Sequence, residues 1–288
     1  MKAWYYRTYH RCEQRVRLRS LKRHLLRGNP VVLVHQMGRA ASMTVVNTLR
    51  TMELDLPVHH THWLNPASVK DRVGRLERFQ RFDALNVSVS KLIIDTLSPD
   101  EIRSYPWRII SVIRDAVARN LSAFFLSVEK FIPNIYRRHV QGNISHDEIL
   151  QVFLRAYPHE IPLRWFDHEV KDVFGLDVYA QPFPFELDYA LYELRSMRMT
   201  IIKVESLGRT FQPAMKALLG NAPGQLVHTH ISAKEAPYAS IYKSFSDSAC
   251  LPDDYLNRMY DSVYSHHFYR PEELIAFRRK WRGQVPAE

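Results

Sequence analysis

Cysteine is scarce, with Cys12 and Cys250 the only two. Two thiols exclude a disulfide framework and a four-thiolate zinc site. No apolar run reaches the roughly 18 residues that a membrane span needs. The N-terminus has no apolar h-region, because charge keeps interrupting it, so no signal peptide is expected. Internal repeats and low-complexity tracts are also missing. These absences predict a soluble, cytoplasmic protein. Apolar residues are plentiful, at 46% of 288. That excludes wholesale disorder and allows a sizeable core. The length fits one large domain or two small ones.

The formal net charge of +10 raises nucleic acid as a partner. Its distribution argues against specific nucleic-acid binding. Residues 1–28 hold nine basic side chains and one acid, Glu13, and so carry +8 of the total. The remaining body, 29–288, is close to neutral and reads as the main domain. In the arm at 1–28, Leu18, Leu21 and Leu25 recur at helical spacing, and Gly28, Asn29 and Pro30 form a helix stop. Two readings are open. One is a basic amphipathic helix touching an anionic membrane surface or polymer. The other is a solvated helix packed on the domain by its leucines.

Along the chain, strand patterns alternate with helix patterns. Val31, Val32, Leu33 and Val34 form a β-branched run after a turn. A small-residue loop follows at 36–42, then Met43, Val46, Leu49 and Met52 at a spacing of three. Residues 57–64 read as a second short strand, 66–82 as a charged helix, and 87–94 as a further alternating strand. Ser98, Pro99, Asp100 and Glu101 form a helix start. Residues 107–113 are a buried strand, and Asp115 opens a long helix. Ser145 to Glu148 reads as a capping box for a helix to about Ala156. Residues 174–179 and 189–204 look extended, with a hairpin expected around Pro182 and Pro184. Residues 207–219 and 252–281 look helical. This alternation predicts an α/β domain with a parallel sheet, whose ligands bind beyond the carboxyl ends of the strands.

That rule brings three distant segments to one rim: the loop at 36–42, the histidines at 59–62, and Arg114 with Asp115. Strand, glycine-containing loop and helix together make an anion site, because the first amides of the helix point outward. Gly38 allows close approach, Arg39 adds a cation and Ser42 a hydroxyl. The GxxxxGK[ST] pattern is absent, which disfavours an ordinary NTPase or kinase. In the second segment, Arg114 stands at a strand end and Ser122 two helical turns later. Both can face one phosphate, with Asp115 capping the helix and Arg119 buttressing the loop.

At this point the chain resembles the sulfotransferases that use 3′-phosphoadenosine 5′-phosphosulfate (PAPS). Residues 36–42 look like their 5′-phosphosulfate loop, and Arg114 through Ser122 like their 3′-phosphate loop. More narrowly, the chain is similar to a bacterial sulfotransferase-like family labelled as capsular polysaccharide synthesis proteins. Trp165-Phe166-Asp167-His168-Glu169, residues 174–179, residues 202–207 and the tail around Lys234, Tyr238, Tyr242 and Lys243 carry that similarity. It runs from about residue 30 to 281. Two departures stand out: Arg39 replaces the usual lysine, and Ala116 the usual proline.

The resemblance implies a P-loop-like three-layer α/β sandwich with a central parallel sheet. It implies sulfuryl transfer from PAPS to a hydroxyl of a glycan or small metabolite, with no metal required. The alternative is an inactive nucleotide-binding or scaffold protein of the same fold in capsular polysaccharide synthesis. The implied donor contacts are Gly38, Arg39, Ala40, Ala41, Ser42, Met43, Arg114, Ser122 and Lys234. The chemistry needs a base near neutrality, which histidine supplies. His62 is the first choice and His60 the second, with Arg39 assisting the leaving group. His60 and His62 also have His-x-His spacing for zinc, or an ordinary structural role. Lys91 either reaches the site or is a surface lysine. Trp165, Phe166, Phe183 and Phe185 either line an acceptor channel or are core. Glu205 reads as structural or as a nucleotide-loop contact, and His228 and His230 receive no role.

Overall fold

The computed structural model describes residues 2–52, 54–78, 85–221, 226–227 and 238–283, with the backbone course alone for 2–13 and 75–78. Its sheet is built from β1 (Val31–His35), β2 (Val58–Thr61), β3 (Trp107–Ile113), β4 (Tyr189–Leu194) and β5 (Met197–Lys203). The strand order is β2-β1-β3-β5-β4, parallel except for the antiparallel β4. β1 is buried at all five positions, as its unbroken apolar run demands in a sheet covered on both faces.

Alternate residues of the central strands feed two separate cores. Val32, Val34, Ile110, Val112 and Ile202 meet α2 (Ser42–Thr51) and α11 (Leu207–Leu219). Val31, Leu33, Trp107, Ile109 and Ile201 face the opposite way. They meet α1 (Lys2–Arg27), α4 (Leu85–Thr96) and α6 (Ala116–Leu126). Helices therefore cover both faces of a mixed, mostly parallel sheet. Between β2 and β3 run α3 (Pro66–Arg78), α4 and α5 (Pro99–Ser104). After α6 come α7 (Ile135–Val140), α8 (His146–Ala156), α9 (Ile161–Phe166), a π turn over Asp167–Lys171 and α10 (Asp172–Phe174). The chain ends in α12 (Ala239–Ser248), α13 (Asp253–Tyr260), α14 (Val263–Phe268) and α15 (Pro271–Trp281).

The basic helix docks through its leucines. Leu21 and Leu25 are buried and Leu18 packs against them, whereas Val16 and Leu26 face solvent. Gly28 ends the helix at φ 66°, which lets its N–H reach Leu25 O and the next N–H reach His24 O.

Three sequence expectations are corrected. Residues 87–94 are not a strand but part of α4. Val89 and Ile93, one helical turn apart, are its buried pair, and Ser90 Oγ donates back to Asn86 O. Short β-branched runs fit both periods, and packing beside α1 selects the helix. The hairpin does not turn at Pro182 and Pro184. It turns at Arg195 and Ser196, between β4 and β5, with Arg195 at φ 55°. Residues 174–179 are a helix end and a 3-10 turn rather than an extended strand.

Candidate functional site

From β1 the chain crosses to β2 on one side, while β3 lies on the other. The gap between the carboxyl ends of β1 and β3 is thus a topological switch point, where open α/β sheets bind ligands. A cleft of about 800 Å³ opens here, lined by Gly38, Arg39, Ala41, Ser42, Met43, Thr44, His60, His62, Trp63, Arg72, Arg114, Arg119, Lys130, Phe131 and Tyr157 among others. The three segments placed on one rim by the sequence do meet. Among the described residues lining the cleft, five are arginine or lysine and none is a carboxylate.

The loop after β1 is held in a tense shape. Arg39 has φ 75° and Ala41 φ 55°, both in the left-handed region that L-residues seldom adopt. Several bonds hold it there. Gln36 Nε2 donates to Ala40 O at 2.6 Å, Arg119 Nε to Gly38 O at 3.0 Å, and Arg114 to Arg39 O at 3.2 Å. Ala41 caps α2 without a side-chain bond, and the first turn of α2 holds no acid. No side chain of the cap closes this helix start, which faces the cleft at Ser42 and Met43. The contrast with α6 is informative. There Asp115 caps its own helix by accepting from Val117 N at 3.0 Å.

Arg119 is buried, and its guanidinium also donates to Asn120 Oδ1 and Tyr157 OH, each at 3.0 Å. It is the buttress expected from the sequence. Arg39 Nε donates to Ser122 Oγ at 3.0 Å, and its Nη2 approaches Tyr238 OH at 3.4 Å. Two of the expected donor contacts do not line the cleft. Ser122 is buried beneath Arg39 and acts as its anchor, and Ala40 is packed into the core with α2. Gly38, Arg39, Ala41, Ser42, Met43 and Arg114 do line it. Lys234, His228 and His230 lie outside the described residues.

The histidines follow from strand register. β1 and β2 pair Val34 with His60 and His35 with Thr61, so His62 emerges just past the sheet edge. Its Nδ1–H donates to Gln36 O at 2.7 Å, which fixes the tautomer and leaves the Nε2 lone pair uncommitted by that bond. A Cβ added at Gly38 would stand 3.9 Å from both Cε1 and Nε2 of this ring, in space the glycine leaves open. Burial, with Arg119 and Arg72 nearby, lowers the His62 pKa and keeps the ring neutral. His60 packs edge-on to His62 at 4.3 Å and is pushed down to about 2 by burial and by that neighbour. Among the described residues, no third histidine, cysteine or carboxylate joins them in a metal-holding group.

The segment carrying His62 is clamped by residues from the helical turn at 165–169. Trp165 Nε1 donates to His62 O at 3.1 Å. The Glu169 carboxylate accepts from Leu64 N at 2.5 Å and Asn65 N at 2.8 Å. Burial raises the Glu169 pKa despite these bonds. His35 completes the clamp, donating from Nε2 to Glu169 O at 3.1 Å and accepting from Thr61 Oγ1 at 2.8 Å. Sequence reading marked this motif only through resemblance and assigned Glu169 and His35 nothing. No local pattern marks Glu169, which stands between His168 and Lys171 and reads as one more surface charge.

Other expectations resolve toward structure. Trp165, Phe166 and Phe183 are buried in the core and none of the four aromatics lines the cleft. Phe183 and Phe185 lie 5.7 and 5.5 Å from the buried Lys203 ammonium. Lys91 sits on the outside of α4, bonded to Asp95 at 2.5 Å, and does not reach the cleft. Glu205 accepts from Asp115 N at 2.9 Å and from Tyr269 OH at 3.3 Å, holding the turn that carries Arg114. Burial lifts its pKa to about 7.

The fold and site thus define an α/β protein with a cleft lined by arginine and lysine at a switch point. Residues 142–270 match the model of a family described as "Putative capsular polysaccharide synthesis protein". The match spans less than half of the chain. It includes the clamp at 165–169 and Glu205, and it leaves out the loop at 36–42, His62 and Arg114. No curated protein and no solved structure matches the chain.

Proposed function

We propose that this protein is a sulfotransferase that moves a sulfuryl group from PAPS to a hydroxyl of a glycan or small metabolite. The observation that carries the reading is the meeting of an uncapped helix start, two arginines from separate loops and a neutral histidine in one cleft. The donor is an anion at both ends, and the cleft's cations and helix start suit it. The space that a Gly38 Cβ would fill gives a phosphosulfate room beside His62. The family description adds polysaccharide synthesis as a setting for a glycan acceptor.

When bound, the donor supplies the sulfuryl group and departs as 3′-phosphoadenosine 5′-phosphate. The amides of Ser42, Met43 and Thr44 would hold its sulfate-bearing end. Arg114 would hold its distal 3′-phosphate, and Arg39 would offset the charge that develops on the 5′-phosphate oxygen as the sulfuryl group leaves. His62 Nε2 would take the acceptor's hydroxyl proton as that oxygen bonds to sulfur. Its lowered pKa keeps it a free base at neutral pH. The donor's negative charge would counter Arg72 and Arg119 and raise its proton affinity.

A second reading, nucleotide binding without transfer, draws on Arg39, whose guanidinium is tied to Ser122 rather than left mobile. Calorimetry with 3′-phosphoadenosine 5′-phosphate tests what both share: binding is expected, and loss in Arg114→Ala. Transfer of labelled sulfate to a panel of glycans and small hydroxyl acceptors then separates them. In His62→Ala, turnover should fall about 100-fold or more while nucleotide affinity holds. Unchanged turnover removes His62 from the reaction, and no nucleotide binding removes both readings.

A further inference from the structure

Most of the chain's excess charge lies in residues 1–28, yet no described residue of α1 lines the cleft. Docking fixes which way that charge points. Leu18, Leu21 and Leu25 face α4 and the core. On the other side of the helix, Arg15, Arg19, Lys22, Arg23 and Arg27 are exposed. Arg15, Arg19, Arg23 and Arg27 recur at a spacing of four, which stacks them in one row. The helical rise sets neighbours in that row about 6 Å apart along the axis, inside the roughly 8 Å screening length at physiological salt. Their fields therefore add.

Among the described residues, no carboxylate pairs with these five cations. Residues 14–52 contain no Asp or Glu. The neighbouring α4 has one carboxylate, Asp95, and it is bonded to Lys91. Like charges four residues apart weaken a helix. The helix dipole favours only cations in the last turn, where Arg27 stands. The rest of the row is held against repulsion that an external polyanion would relieve. Two aliphatic side chains share this face. Val16 and Leu26 are 64% and 68% exposed. Each stands three residues from an arginine of the row, Arg19 and Arg23 respectively, and so lies beside it. No residue at 14–27 is an aromatic that could stack a nucleic-acid base. Cations interleaved with exposed aliphatics suit an anionic lipid surface, where the charges meet headgroups and the aliphatics reach the acyl boundary.

We infer that the outer face of α1 docks the protein on an anionic membrane surface. The leucine stripe takes no part, because the domain already covers it. The helix lies in the plane of the interface, with the row of arginines against the headgroups and Val16 and Leu26 dipping below them. Each cation near such a surface raises affinity about fivefold. The contact is independent of what the cleft does, since it uses none of the cleft's residues.

The test is co-sedimentation of the full chain with sucrose-loaded vesicles, either phosphatidylcholine alone or equal parts phosphatidylcholine and phosphatidylserine. Binding to the anionic vesicles is expected to be about a hundredfold tighter or more, and to weaken as salt is added. Arg19→Gln combined with Arg23→Gln, both at exposed positions, should lower it about twentyfold at an unchanged melting temperature. Val16→Ser combined with Leu26→Ser should lower it about tenfold and leave affinity for a duplex DNA oligonucleotide unchanged. Equal affinity for the two kinds of vesicle, or no effect of either variant pair, overturns the inference. Duplex DNA bound more tightly than the anionic vesicles also overturns it, and makes the row a nucleic-acid contact instead.

Discussion

At the scale of single residues, the cleft depends on groups that act at one remove. Ser122 does not face the ligand, so its hydroxyl matters through Arg39. In Ser122→Ala, about 1 kcal/mol of positioning is lost, and affinity for 3′-phosphoadenosine 5′-phosphate should fall about fivefold by calorimetry. Gly38 is the opposite case. Its φ is not positive, so Gly38→Ala brings no left-handed strain and should melt at the wild-type temperature. Its new methyl would stand beside His62 Nε2, so sulfate transfer should drop about tenfold or more with little change in folding. Glu169 holds two backbone amides. Glu169→Ala leaves both unpaired in a buried place and should cost about 2 kcal/mol in urea unfolding, whereas Glu169→Gln keeps an acceptor oxygen and recovers most of it.

At the scale of elements, the turn carrying Arg114 is pinned by the C-terminal helices. Asp115 accepts from Tyr260 OH at 2.8 Å on α13 and from Trp281 Nε1 at 3.0 Å on α15, besides capping α6. Tyr264 OH on α14 donates to Arg114 O at 2.8 Å. One carboxyl group therefore ties three helices to the end of β3. Asp115→Ala removes a cap and strands two buried donors, and should cost about 3 kcal/mol or more in denaturant unfolding. The α1 helix shows what element-scale reading can and cannot settle. Leucine spacing and the Gly28 stop were legible in the sequence, and both hold. Whether those leucines meet a domain or a surface is decided only by tertiary packing, which sets α4 beside them. The residues that moved from strand to helix at 87–94 belong to that same contact.

At the scale of the whole molecule, the distribution of buried histidines sets the response to acid. Burial pushes His35 down to about 3, His59 and His159 to about 4, and His60 to about 2, and it lowers His62 and His267. Each folded pKa lies below the unfolded value of about 6.5. Their contribution to stability is thus complete above pH 6.5 and is lost as pH falls toward the folded values. Each fully buried ring costs about 1.4 kcal/mol per pH unit in that window, and the half-exposed His267 less. Glu205 and Glu169, raised by burial, work against them, since they hold protons the unfolded chain releases. The histidines outnumber the two carboxyls, so melting temperature should fall steadily from pH 6.5 to 5. A flat profile over that range would show the rings are charged in the folded state.

Hydrophobic period, turn chemistry and caps are local properties, and they alone determined the α/β class, the α1 stop, the Ser98 and Ser145 helix starts, and the strand–loop–helix at 31–51. They also marked Arg39, Arg114 and the His60–His62 pair, because strand ends in such a sheet share a rim. Strand order decided the rest. Only the placement of β1 between β2 and β3 brings loop 36–42 against Arg114 and His62. Only packing shows that Ser122 serves Arg39 and that the 165–169 turn clamps the histidine segment. Those partners lie some hundred residues apart in places, a separation that no local pattern of side chains encodes.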